Sequence, residues 1–456
     1  MSESKSFVYQ SQEELTPPIQ AKCLVHFRPK EQWEGKDYGF DWMRIADTLV
    51  AGDTQPYEEI VGKLFKEGTN TLVTNINTSE GRFEPNAAMY NDLKKEYNPL
   101  TITWKTVFSG DYSKLGEYFC PRLSLYPSES KALSPLRQID SDQTNTEADL
   151  RLFLDIAEIP DYIEFEENKH FKITPPKISD DLRKGEHFWK SGDGKETVKI
   201  KCLTDFNTDQ KIDVFAVKKD AVTGRDDRKL AGRLYVWAND RTKRKKVKCL
   251  LVKVTTPPLS GSRSKTGNTK DQPMYFKRYL RQALITVDTD DTVELNLSSD
   301  PNFMKASGNT REGTYITGYK INYRKSGIST PLIKYLDDRL IDKLRKEGKD
   351  ANMYNGIFKV YYFEEESVFT DNNGYQDGNA AVFFKRDDQT AVHEFLHRLN
   401  LSHSYSNKEC SLVNKELSNY KADYTYKAKK TDNVMDYSFQ RYSLWKWQWR
   451  VINNSI

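Results

Sequence analysis

Alternation of apolar and polar positions dominates the first part of the chain. The runs Val198–Cys202, Ile212–Val217 and Leu234–Trp237 alternate as half-buried strands do, at the spacing of an immunoglobulin-like sandwich. Cys23–Phe27, Thr71–Ile76 and Leu100–Val107 also read as strands, Tyr57–Glu67 and Ala88–Tyr97 as helices, and Thr144–Asp155 as either a strand or a short helix. Thr-Pro-Pro occurs at 16–18, 174–176 and 256–258. Proline ends a ladder and holds the preceding residue extended. The second and third steps close the strand-like runs His170–Thr174 and Lys248–Thr255, so they read as module ends. Residues 259–272, rich in Ser, Gly, Thr and Asn, read as a flexible linker. Beyond them the pattern predicts a short helix near Met274–Leu284, a strand at Val293–Leu297, a helix over Leu332–Glu347, strands at Gly356–Phe363 and Asn379–Lys385, and a further helix from about residue 390. The expected organisation is multidomain. It comprises a flexible tail (1–18), a β-rich N-terminal region of one or two modules (19–176), an immunoglobulin-like β-sandwich (177–258), the linker (259–272) and an α/β (α+β) domain (273–456).

Composition changes this picture little. With 456 residues, more than one core is expected. Seventy basic against 66 acidic residues leave a net charge of +4, too balanced to imply a nucleic-acid or membrane field. The basic run 241–248 has no interleaved aromatics and lies between two strand-like runs, so it reads as a solvated turn. Five scattered cysteines make no disulfide framework. No apolar stretch is long enough to span a bilayer, and the first residues carry no Sec-type signal pattern. The expectation is synthesis in the cytoplasm and, for any role outside the cell, export by a non-Sec route.

Three of the six histidines fall between 393 and 403, in His-Glu-Phe-Leu-His-Arg-Leu-Asn-Leu-Ser-His. His393 and His397 are one helical turn apart, so both imidazoles project to one side and can share a Zn²⁺. Glu394 stands beside the first, where a carboxylate can take a proton from water. Asp387, Asp388 or Thr390 can cap the helix. If the chain turns after Leu399, His403 reaches the same ion as third ligand, leaving one position open.

These residues resemble the metzincin clan of zinc metallopeptidases, whose motif is H-E-x-x-H-x-x-G-x-x-H followed by a methionine turn. The match is His393, Glu394, His397 and His403. Asn400 stands where the clan has glycine, and asparagine is the non-glycine residue that best tolerates the left-handed turn required there. Asp432-Asn433-Val434-Met435-Asp436-Tyr437-Ser438 is similar to the methionine turn of pappalysin-like members. The resemblance spans roughly 375–450. It implies a zincin catalytic domain, Met435 as a hydrophobic floor under the metal, and Tyr437 as a weak ligand or an oxyanion stabiliser. It also implies that the strand Asn379–Lys385 edges the cleft and pairs with an extended substrate.

The expected activity is zinc-dependent endopeptidase action with Glu394 as general base on a protein or peptide substrate. Hydrolysis of peptidoglycan peptides, and a binding or docking protein with a relict zinc site, remain alternatives. The segment His26-Phe27-Arg28-Pro29 through Tyr38-Gly39-Phe40-Asp41-Trp42, with the module ending at Pro258, resembles proteins encoded beside type VI-like secretion systems of Bacteroidota. That resemblance implies a secreted effector or toxin whose partners include a secretion-apparatus component or an immunity protein. Two further segments partly match structural Ca²⁺ sites. In 205–213, Gln210 stands where a calcium loop needs glycine, and 371–379 is rich in Asp, Asn and Gly; polar turns are the simpler reading of both. Trp445, Trp447 and Trp449 read as core anchors of a final helix.

Overall fold

A computed structural model of the chain describes residues 21–46, 55–101, 116–128, 145–220, 223–258, 263–289, 291–369, 374–385, 389–410 and 420–456. The protein is β-rich, with several sheets arranged around separate cores.

One sandwich takes strands from both sides of the boundary expected at 176/177. Its first sheet is ordered Lys22–Pro29, Glu147–Glu158, Val198–Cys202, Phe171–Thr174, with Gly185–Phe188 also pairing on Glu147–Glu158. The second is ordered Lys177–Ile178, Tyr162–Phe165, Gln210–Lys219, Asp226–Val236, Arg122–Ser124, Gly39–Asp41. Side chains from both sheets, such as Val25, Leu152, Ile200, Val214 and Leu234, fill one core. The second Thr-Pro-Pro step therefore does not end a module. Phe171–Thr174 belongs to one sheet and Lys177–Ile178 to the other, and the prolines between them interrupt the ladder where the chain crosses over. The segment 144–155, open between strand and helix on spacing alone, is strand from Glu147 onward.

Lys245–Thr256, which contains the run Lys248–Thr255 expected to close the sandwich, instead lies inside a third sheet ordered Lys265–Thr266, Lys245–Thr256, Phe358–Phe363, Ala380–Phe384, Gly374–Asp377. Ile285–Asp288 and Thr292–Asn296 also pair on Lys245–Thr256. Its pairings with these two, and with Phe358–Phe363, are parallel. Its middle, Cys249–Val252, is covered on both faces and is there a continuous apolar run rather than an alternating one, while Lys245, Lys246, Lys248 and Lys253 are only partly buried or exposed. The segment read as a linker is tied into this sheet from residue 265: Lys265–Thr266 pairs with Thr255–Thr256. Gly267 packs so closely that a Cβ there would sit 1.9 Å from the Tyr362 carbonyl oxygen. The 1–18 tail lies outside the described residues.

The helix Leu332–Lys346 covers one face of this third sheet with Leu332, Ile333, Leu336, Leu340 and Leu344. Each such burial contributes about 1.5–3 kcal/mol. The helices Gln272–Leu280, Thr390–Arg398 and Lys446–Asn454 cover the other face. Trp445, Trp447 and Trp449 are buried there, as expected of core anchors.

The same core takes in Met43, Ile45, Tyr57, Ile60, Val61, Tyr90, Leu93 and Tyr97 from the front of the chain. The helix read at Tyr57–Glu67 is a single turn, Tyr57–Ile60, followed by a strand, Gly62–Phe65, that pairs with Arg82–Pro85. Thr71–Ile76 makes one bridge, Phe65 to Leu72, and no longer ladder. The Gly62 N–H donates to Thr425 O at 3.0 Å, and Asn407 Nδ2 donates to Leu64 O (2.7 Å) and Val73 O (2.8 Å). The unit expected to be 273–456 thus includes a piece of chain from inside the first 100 residues.

Candidate metal centre

The helix Thr390–Arg398 is fixed in rotation by its apolar side. Val392, Phe395 and Leu396 are buried, with Phe395 against Phe276 (5.7 Å) and Phe358 (5.0 Å). Gln389 occupies the cap position and Thr390 is the first helical residue, with no side-chain cap bond; Asp387 and Asp388 lie outside the described residues. The helix ends as a Schellman turn. The Asn400 N–H donates to His397 O at 2.8 Å and the Leu401 N–H to Leu396 O at 3.1 Å, with Asn400 left-handed at φ 65°. Asparagine thus fills the glycine position of the turn, and its Nδ2 donates to Ser455 Oγ at 3.1 Å. The reversal brings His403 back toward the helix.

All three imidazoles are buried. Each Nδ1 meets a backbone carbonyl: His393 with Val434 O (3.0 Å), His397 with Leu401 O (2.7 Å), His403 with Ile76 O (2.6 Å). A carbonyl can only accept, so each Nδ1 carries the proton and each Nε2 presents a lone pair. Those lone pairs converge: His403 Nε2 stands 3.1 Å from that of His393 and 3.2 Å from that of His397. Three acceptors so placed cannot satisfy one another, and a cation would satisfy them all. Nitrogens 2.0–2.1 Å from one tetrahedral ion stand roughly 3.3 Å apart, so the set fits a metal with little movement. The three histidines could hold a metal ion, and no other such group of three His, Cys, Asp or Glu occurs among the described residues.

Met435 is fully buried in the turn beside this set. Its N–H donates to Asn433 Oδ1 (2.9 Å), and Ser404 N donates to Met435 O (3.1 Å), tying the turn to the residue after His403. The Asp436 carboxylate accepts from Lys429 N, Thr431 N, Thr431 Oγ1 and Tyr437 N, all at 2.7–2.9 Å. Tyr437 is 47% exposed, and its hydroxyl lies 3.0 Å from His403 Nε2, at the open side of the cluster. Glu394 has its carboxyl pushed up to about 7 by burial. A cation on the neighbouring nitrogens would draw it back down.

No family model and no curated protein matches this chain. Among solved structures, a Bacteroides ovatus GH5 xyloglucanase in complex with a XXXG heptasaccharide aligns with 56% of this chain and 47% of its own. The identity is 11% and the TM-score 0.13, a likeness too slight to carry an argument.

Several site residues had no signature in the sequence. Tyr405 stacks on His403 (4.8 Å between centroids, planes 8° apart), and Tyr420 meets the His397 ring at 5.7 Å. Both are anonymous among 26 tyrosines. Ile76 contributes a carbonyl, which any residue type could supply. The strand expected to edge the cleft, Asn379–Lys385, is flanked on both sides: Ala380–Phe384 pairs with Phe358–Phe363 and with Gly374–Asp377. The antiparallel Gly374–Asp377 takes the outer position, because the turn at Asp377–Ala380 folds it back along its neighbour. The 205–213 segment has its carboxylates engaged: Asp205 with Arg244 (3.3 Å), Asp209 with the Ala238 N–H (3.0 Å), and Asp213 with Arg233 and Lys211. It therefore offers no calcium cage. Residues 371–373 of the other candidate loop lie outside the described residues. Within the basic run, Arg244 pairs with Asp205, and Lys246 and Lys248 with Asp288 (3.9 Å) and Asp291 (2.6 Å). No helix among the described residues is long and apolar enough to cross a membrane.

Burial lowers His397 to about 4 in the metal-free protein. Its folded value lies below the unfolded value of about 6.5, so below that pH the unfolded chain takes up a proton that the folded one refuses. Stability contributed by His397 is then lost as pH falls from about 6.5 to 4, by roughly 3 kcal/mol. Urea denaturation of metal-free wild type and His397→Gln across this range is expected to show the extra slope in wild type alone; parallel curves would mean that His397 is not held neutral.

Proposed function

We propose that this chain is a zinc-dependent endopeptidase of the metzincin type. The observation that carries the reading is the convergence of three proton-free Nε2 atoms from His393, His397 and His403, with Glu394 on the same helix. An all-imidazole set with no carboxylate suits Zn²⁺ rather than Mg²⁺ or Ca²⁺. When bound, Zn²⁺ supplies Lewis acidity and makes water nucleophilic near neutral pH. Glu394 takes the proton of the attacking water and passes it to the departing amine. Tyr437, whose hydroxyl is 3.0 Å from His403 Nε2, donates a hydrogen bond to the oxyanion that develops on the substrate carbonyl. Met435 holds the apolar floor. Gly374–Asp377, the last strand of the sheet, offers main-chain groups to an extended peptide.

The test is incubation of zinc-loaded wild type and Glu394→Gln with a bacterial lysate, followed by mapping of new peptide N-termini by mass spectrometry. Termini that appear with wild type alone are expected. Identical termini from both proteins, or none from wild type, would refute the reading.

A further inference from the structure

A cavity of about 570 Å³ lies where the sandwich, the helix Gln272–Leu280, the start of the His393 helix and the chain just after the methionine turn meet; Trp33, Arg278, Gln389, Phe439 and Arg441 are among its walls. Its wall comes within one helical turn of His393 through Gln389, and none of the three histidines lines it. His393 N bonds to Gln389 O one helical turn away, and Arg441 is close enough for its charge to weigh on the His393 imidazole. Most charges in the wall are paired. Arg151 meets Glu31 at 3.0 Å, Lys30 meets Asp37 at 2.6 Å, and Arg278 approaches Glu34 at 3.8 Å. Arg441 is the exception. Its Nε is buried without a hydrogen-bond partner, as are those of Arg151 and Arg278, but unlike them it has no carboxylate among the described residues within ion-pair distance. Its carbonyl is fixed by the Tyr279 hydroxyl at 2.9 Å, which anchors the backbone from which the guanidinium projects. Phe439, fully exposed, stands at the rim, an apolar surface with nothing packed on it.

A guanidinium with no carboxylate beside it presents an unsatisfied charge, and its planar fork matches a carboxylate. We propose that this cavity is a substrate subsite that takes a carboxylate, with Arg441 as the group that reads it and Phe439 covering the adjoining peptide. The proposal deepens the peptidase reading and rests on it for the word substrate; the carboxylate site itself does not. Two sources share that chemistry, an Asp or Glu side chain and a free peptide C-terminus.

The experiment is fluorescence anisotropy with short labelled peptides on zinc-loaded Glu394→Gln, which binds without turnover, and on the same protein carrying Arg441→Gln. One set walks a single Glu, or its Gln twin, along a neutral peptide; another pairs C-terminal acids with amides. The acid is expected to bind about tenfold or more tighter than its neutral twin, the gain of one charged hydrogen-bonded pair, and Arg441→Gln to abolish the difference. A gain confined to one Glu position assigns the side chain, and a gain confined to the free terminus assigns the C-terminus. Equal binding of acid and neutral twins, absence of binding by both included, would overturn the proposal. So would a preference that survives Arg441→Gln with zinc content unchanged. Acid-selective binding in a protein whose wild type cleaves nothing would keep the carboxylate site and defeat the peptidase reading.

Discussion

Zinc is expected to stabilise this protein by about 4 kcal/mol when free metal exceeds Kd a thousandfold, since the folded chain assembles a site the unfolded chain lacks. For a chain of 456 residues that amounts to a rise in Tm of about 4 °C. The argument rests on the tautomers. Three Nδ1–H groups are already committed to the carbonyls of Val434, Leu401 and Ile76, so the Nε2 atoms need no rearrangement to receive a cation. Burial also keeps the imidazoles neutral, so no proton need leave them first. Differential scanning fluorimetry on chelator-treated protein, with zinc restored stepwise, measures the shift. His403→Ala is expected to remove most of it, because only two ligands remain. If His403→Ala kept the full shift, the third ligand would have to be something other than this loop histidine. If wild type showed no shift, the converging lone pairs would not be a metal site.

What the sequence made legible follows from where the information sits. His393, Glu394 and His397 could be read because a helix turns sequence spacing directly into a shared face. Asn400 could be read as a left-handed residue because few residue types adopt that conformation, and its φ of 65° bears this out. The strands and helices after residue 273 were legible because each carries its own period over enough residues. The division into modules was not. Proline steps mark where a ladder stops, and a ladder also stops where a chain crosses between two sheets of one sandwich, as at 174–176. The strand Lys245–Thr256 could be read as a strand but not placed in its sheet, since a run buried on both faces has no preferred partner written into it. The contribution of residues 43–97 to the metal centre was invisible for another reason. It is made largely through main-chain atoms, Ile76 O to His403 and the Leu64 and Val73 carbonyls to Asn407, and these leave no mark on residue identity.

One contact from that segment is made by a side chain, and it carries the other large expected effect. Arg44 is fully buried, with its guanidinium 3.5 Å above the Trp42 ring. It bonds Asp41 at 2.9 Å and Asp432, at the start of the turn that bears Met435, at 3.1 Å. Asp432 also accepts from Ser443 Oγ at 2.8 Å, and Asp41 from Tyr97 Oη and from Lys446 N, so one cation holds together the N-terminal segment, the turn that bears Met435 and the last helix. Arg44→Met preserves much of the side-chain volume but leaves two carboxylates buried without their counter-charge. Removing one partner from a buried network costs about 3–5 kcal/mol. The loss should also reach the metal, because the displaced turn bears Val434, whose carbonyl orients His393. Arg44→Met is therefore expected to lower stability by about 3–5 kcal/mol in urea denaturation and to weaken zinc binding by about 10- to 100-fold, the usual consequence of disturbing a ligand's outer partner. Restoring neutrality in the same protein with Asp41→Asn and Asp432→Asn should recover part of the stability, because the unpaired charges rather than the lost packing dominate the penalty. If Arg44→Met alone melted like wild type and bound zinc as tightly, the N-terminal segment would be a neighbour of the metal centre and not a part of it.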